Sequence, residues 1–255
     1  MKSDRVREQQ VPMKSVYPIT IPPDYTFIRT DFFYSFFAEI AYIAFGLVLG
    51  VGFLKIICRH KTYGRKNLKP LKKQGFITVA NHCHLFDTVM TGMALLPRKA
   101  WYASVQRNFE APYYRKMFRI LQGFPIPDGV FGLRQILNPV VTAIKQGKIV
   151  HFFPEEELWH LYQGIDHFQK GAFYLAHQAN CPVVPMVHLF KPRTFFGRTI
   201  SKNILTIKTV IGEPIYPEVP MKDGERVNLE SVQKMTDRAQ EWMKTQMEEY
   251  HQNKK

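Results

Sequence analysis

A histidine and an aspartate five residues apart, His82 and Asp87, have the most obvious capacity for chemistry in this chain. A carboxylate that accepts a hydrogen bond from one imidazole nitrogen fixes the tautomer and leaves the other nitrogen as a base. In a regular helix five residues turn through roughly 140°, so the two side chains would diverge. They meet only if His82 lies on a turn and Asp87 opens a helix. Asp is also a favoured helix N-cap, and capping alone would account for Asp87 without catalysis. A histidine in such a turn can likewise be purely structural. Asn81, Cys83 and His84 complete the polar knot.

The flanking residues supply the turn. Residues 76–80, FITVA, read as a strand, and 85–96 as a helix stopped by Pro97. Such a junction lies at the carboxyl end of a strand, where ligands bind in α/β proteins. Strands at 99–105, 123–128, 148–153, 181–189 and 203–211 alternate with helices at 109–121, 132–146, 171–179 and 228–249. The last helix turns Val232, Met235, Ala239, Trp242, Met243 and Met247 inward. The alternation predicts the α/β class, with helices covering the sheet.

The 255 residues suffice for one domain with an appendage, or two small ones. A net charge of +14 favours an anionic partner: nucleic acid, anionic lipid or a phosphorylated substrate. The cysteines, Cys58, Cys83 and Cys181, lack paired spacing, which fits a reduced, cytosol-facing protein and neither a disulfide framework nor a zinc site.

Four segments follow from composition. Residues 1–30 form a polar, proline-bearing arm outside the folded core, with no cleaved secretory signal expected. Residues 31–58 are an apolar segment long enough to span a bilayer, interrupted by Glu39, Gly46, Gly50 and Gly52; a buried pair of core helices is the alternative. Residues 59–75 form a basic linker, whose charges would each contribute about 1 kcal/mol near anionic headgroups. The positive-inside rule then places the remaining domain, 76–250, on the cytoplasmic side.

Asn81 followed by the H-x4-D pattern of His82 to Asp87 resembles the glycerolipid acyltransferases of the lysophosphatidic acid acyltransferase type. Later segments match that family's blocks in order. Residues 123–128 occupy the second block, but Gly129 stands where an arginine is usual. Phe153, Pro154 and Glu155 match the third, in which Glu156, Glu157 and Leu158 replace Gly-Thr-Arg. Phe168–Gly171 resembles the Phe-Lys-x-Gly element, Val184–Val187 the fourth block, and Gly212–Ile215 a turn that often follows it.

The resemblance implies a mostly parallel sheet of about six to eight strands, with 32–57 docked beside the site. It implies an O-acyltransferase of phospholipid biosynthesis, moving an acyl group from a thioester to a lysophospholipid hydroxyl, with lysophosphatidate as the leading acceptor. His82 and Asp87 are then the catalytic pair. Asn81, Phe153, Pro154, Glu155, Lys170 and Gly171 are expected to bind substrate, with Lys170 facing phosphate unless it is simply a solvated helix-start lysine. No cofactor or metal is expected; acyl-coenzyme A or an acyl-carrier protein is the co-substrate. The expected partners are the acyl donor, the lyso-lipid and an anionic membrane surface, not nucleic acid. Because arginine suits phosphomonoesters, Gly129 and Leu158 leave a non-phosphomonoester lyso-lipid or a glycolipid open as acceptor.

Other chemistries fit less well. His82, His84 and Asp87 superficially resemble the metal ligands of metallo-β-lactamase-like hydrolases, but the gap after His84 is too long and Thr88 replaces a histidine. Cys83 as a nucleophile would need a base to lower its pKa. The basic cluster adjoins an apolar segment and not an aromatic platform, against nucleic-acid binding.

Overall fold

A computed structural model describes residues 20–252, other than 23, 129–131, 196–197 and 223–224. Gly129 and most of the N-terminal arm therefore lie outside the described residues.

Helix α1 (Phe32–Phe45) continues as a π-helix, Gly46–Ile57. Asp31 caps α1, its carboxylate accepting the Tyr34 N–H at 3.0 Å. Strand β1 (Lys61–Tyr63), a 3₁₀ segment (Arg65–Leu71) and β2 (Phe76–Ala80) follow. Then come α2 (Asp87–Leu95), β3 (Ala100–Val105), a 3₁₀ turn (Gln106–Phe109), α3 (Pro112–Ile120), β4 (Gly123–Ile126) and α4 (Gly132–Lys145). The chain ends with β5 (Ile149–Phe152), α5 (Gly171–Gln178), β6 (Val183–Phe195), β7 (Arg198–Ile211) and α6 (Leu229–Gln252).

The strands form one seven-stranded sheet in the order β1-β7-β6-β2-β5-β3-β4. All neighbours are parallel except β6 and β7. The central strand β2 is buried throughout, as its unbroken apolar run requires. Ile77 and Val79 join the core beneath α4, α5 and α6. Phe76 and Ala80 face the opposite layer with α2. In α6, Val232, Met235, Ala239, Met243 and Met247 are buried as the pattern predicts, while Trp242 is half-buried.

Two expectations need correction. Residues 59–75 are more than a linker: β1 pairs with β7 at the sheet edge. Gly64, at φ 78°, permits this, since a Cβ there would strike the Ile211 carbonyl. The described part of the N-terminal arm is folded onto the core: Phe27 is buried, and Arg119 donates to the carbonyls of Thr26 and Phe27, both at 2.8 Å. The apolar segment, by contrast, takes the expected form and not the alternative of a buried helix pair. It is one helix, Phe32–Ile57, long and apolar enough to cross a membrane, with 11% of its most apolar window buried. Its inner side is tied to the domain by the Tyr34 hydroxyl donating to the Arg119 carbonyl and by a Glu39–Lys99 ion pair. Phe32, Phe33, Phe36, Phe37, Leu47 and Val48 point outward, exposed.

Candidate active site

The loop after β2 carries His82 to the carboxyl edge of the sheet. Asp87 is the first residue of α2, yet its carboxylate does not cap that helix. It turns back on the loop, with Oδ2 accepting from His82 Nδ1 at 2.9 Å and from the backbone N–H groups of Cys83 and His84 at 2.7 and 2.8 Å. Asp87 is fully buried, so these donors replace the water it gives up. His82 Nδ1 is thereby the protonated nitrogen, and Nε2 is left to accept a proton. The His82 side chain is 25% exposed.

Asn81 has a different task from the substrate contact expected of it. It is fully buried, and its amide embraces one residue of β6. The Asn81 side chain donates to the His188 carbonyl at 3.1 Å and accepts the His188 N–H at 2.7 Å. This pins the start of the loop to the neighbouring strand. His188 extends the network through Thr91 at 3.2 Å and Thr209 at 3.0 Å, and Thr209 meets His60 at 2.8 Å. Burial holds both histidines near a pKa of about 4, hence neutral.

The loop after β5 forms the other wall. Glu155 accepts the backbone N–H of His82 through Oε2 and that of Asp166 through Oε1, each at 3.2 Å. Burial pushes its pKa up to about 7, against those two bonds. The Trp159 N–H donates to the His82 carbonyl at 3.1 Å and the Leu161 N–H to the Cys83 carbonyl at 2.8 Å. Glu156 adopts φ 61°, the region favouring glycine, where the resembled family has glycine. Glu156 and Glu157 are exposed, and Leu158 is half-buried.

Phe153 lies face to face with the His82 ring, centroids 4.1 Å apart and planes 12° apart. Pro154 is buried, and its carbonyl accepts the Gln169 N–H at 2.8 Å. That bond brings the 168–171 element beside the third block. Lys170 is exposed at the start of α5, and Gly171 packs on Leu133.

The alternative chemistries lose their geometry. Burial, with the Asp87 and Glu155 carboxylates alongside, pushes the Cys83 thiol well above its usual pKa, away from a thiolate. His84 Nδ1 accepts the Phe86 N–H at 3.2 Å. Among the described residues, no three His, Cys, Asp or Glu side chains converge as a metal cage would.

Beside the loop runs an apolar groove of about 480 Å³. Leu85, Phe86, Thr88 and Val89 line it next to the His82–Asp87 pair, and α1, the π-helix and α3 supply other walls. Glu39 and Lys99 are the charged residues lining it. Local sequence reasoning missed this groove, because its walls lie far apart in the chain. It also missed His151 and His188, although each stands inside a strand where a buried polar group invites a question.

Comparisons with known proteins identify the family and the fold. The acyltransferase family profile matches residues 59–189. An N-acylphosphatidylethanolamine synthase of Arabidopsis thaliana is 29% identical over 162 residues, covering 57% of this chain and 57% of the plant protein. The chain thus spans little more than half the length of that relative. The crystal structure of the 1-acyl-sn-glycerophosphate (LPA) acyltransferase PlsC from Thermotoga maritima superposes with a TM-score of 0.54 at 19% identity, covering 86% of this chain and 79% of PlsC.

Proposed function

The chain belongs to the acyltransferase family, and on that premise we propose that it moves an acyl group from a thioester to the free hydroxyl of a lysophospholipid at a membrane surface. The observation that carries this is the His82–Asp87 pair set beside an apolar groove of acyl-chain character. His82 Nε2 removes the hydroxyl proton as the oxygen attacks the thioester carbonyl. Asp87, bound to Nδ1–H, stabilises the imidazolium. The tetrahedral adduct then collapses, the C–S bond breaks, and the departing sulfur takes the proton from His82. The ester and free thiol leave, with no covalent acyl-enzyme and no cofactor.

The acyl chain of the donor lies in the groove between α2 and the α1/π-helix unit. Glu155 orders the loop, and Lys170 faces phosphate of donor or acceptor. The exposed phenylalanines of α1 enter the lipid, and the basic residues of 59–73 place the domain on the cytoplasmic side of an anionic leaflet.

Lysophosphatidate is the first acceptor to test, and it is the acceptor after which the Thermotoga protein is named. A specific observation favours a second. Exposed Glu156 and Glu157 stand beside the site where the resembled family places no acid, and the plant relative's name denotes acylation of an ethanolamine phospholipid at its nitrogen. The experiment is competition among lysophosphatidate, lysophosphatidylethanolamine and a neutral lyso-glycolipid for one acyl donor. Lysophosphatidate should dominate, unaffected by Glu157→Gln. Dominance of the ethanolamine lipid, lost in Glu157→Gln, would establish the second acceptor instead. Transfer to none of them would reject the glycerolipid assignment.

A further inference from the structure

One buried titratable group, His151, has no part in the steps above. It lies in β5 directly opposite Thr78 of β2, with Nδ1 2.8 Å from the threonine hydroxyl. Its Nε2 has no hydrogen-bond partner among the described residues. Burial, with His188 and His82 nearby, holds its pKa well below the usual value, so the ring is neutral. Two residues along the same strand direction, Phe153 emerges on the same face of the sheet. Its ring meets that of His151 at 4.5 Å and 86°. The same phenylalanine lies flat against His82, at 4.1 Å and 12°. Tyr102, facing His151 from β3 at 5.7 Å and 65°, closes the base of this column.

We propose that Phe153, seated on His151, is a positioning residue for His82. The single bond from Nδ1 to Asp87 fixes one edge of the imidazole but leaves the ring free to swing about that bond. Flat contact with Phe153 removes this freedom and aims Nε2 along one direction. Small misplacements of a reacting group cost large factors in rate, so the contact acts on turnover. It also acts on the proton: a cation over an aromatic face is attracted to it, and His82 becomes a cation when it takes the hydroxyl proton. A neutral His151 suits the column, since a charged ring there would repel the imidazolium. The other ionisable groups around His82 are Asp87 of α2, Glu155 of the loop after β5, His188 of β6 and His84 of its own loop. This assigns Phe153 to holding the base and not to the substrate contact that its motif implies.

The proposal rests on His82 being the base, and the test separates the two. The full chain is assayed in mixed micelles with an acyl thioester and a lyso-lipid, measuring kcat, KM and the pH profile of kcat for wild type, His82→Ala, Phe153→Leu and Phe153→Tyr. Phe153→Leu should lose about 10–10²-fold in kcat, with KM unchanged for both substrates and the acidic limb moved to lower pH. Phe153→Tyr should retain both. An unmoved acidic limb, or a rise in KM alone, overturns the proposal and returns Phe153 to substrate binding. Full activity in His82→Ala overturns the base assignment itself. If Phe153→Leu fails to fold, site-specific pentafluorophenylalanine at 153 decides. It keeps the shape of the ring and reverses its charge distribution, so the acidic limb must move.

Discussion

Asp87 opens α2 but directs its carboxylate backwards, and Oδ2 stands 2.9 Å from Nδ1 of His82. The same oxygen gathers the amides of Cys83 and His84. One buried carboxylate thus folds the loop and orients the His82 ring. The five-residue spacing that no regular helix would satisfy brings the two side chains together because the helix begins at the second member of the pair.

His82→Ala should lower kcat by about 10²–10⁴, the usual scale of general-base catalysis. His84→Ala should cost much less, since the His84 ring accepts the Phe86 N–H of its own loop and has no hydrogen bond to Asp87 among the described residues. Asp87→Asn should combine a large loss of rate with a lowered melting temperature, because a neutral amide oxygen accepts more weakly than a carboxylate from the three donors that converge on Oδ2. Steady-state kinetics and thermal denaturation check this. Equal losses in His82→Ala and His84→Ala would contradict the assigned roles.

Glu155 should make stability depend on pH. Burial raises its pKa from 4.5 to about 7, so the native protein holds this proton where the unfolded chain has released it. Across that window the native state binds more protons, and stability falls as pH rises, by about 3 kcal/mol in all. His60 and His188, lowered to about 4, contribute the opposite slope in an overlapping range. The measurement is therefore a difference: the melting temperature of Glu155→Gln relative to wild type should improve steadily between pH 5 and 7. A constant difference would show that Glu155 does not titrate there.

Filling the groove should change the donor and not the chemistry. Val89 lines it within the first turn of α2, two residues past the carboxylate of the pair. Val89→Trp should lose long-chain acyl thioesters about tenfold or more while short-chain donors keep their kcat, since several buried methylenes at about 0.8 kcal/mol each are displaced. The check is kcat/KM across a donor series. Equal loss for all lengths would place the acyl chain elsewhere.

The sequence by itself determined what short-range physics decides. The β-branched run of β2, the turn that His82 and Asp87 require, and the inward stripe of α6 all follow from periodicity and spacing within a few residues. The apolar length of 32–57 likewise made a helix long and apolar enough to cross a membrane legible. Tertiary structure alone decided the contacts that cross the sheet. Asn81 reaches His188, and Glu155 reaches the His82 amide, because β2 lies between β6 and β5 in a particular register. No local pattern encodes which strands adjoin or how they are offset; that depends on how the whole core packs. Phe153 illustrates the division. Its alternation with His151 was written in the strand, but its place against His82 exists only once β5 pairs with β2. The folded arm around Phe27 was illegible for the same reason: its partner, Arg119, is supplied by α3, far along the chain.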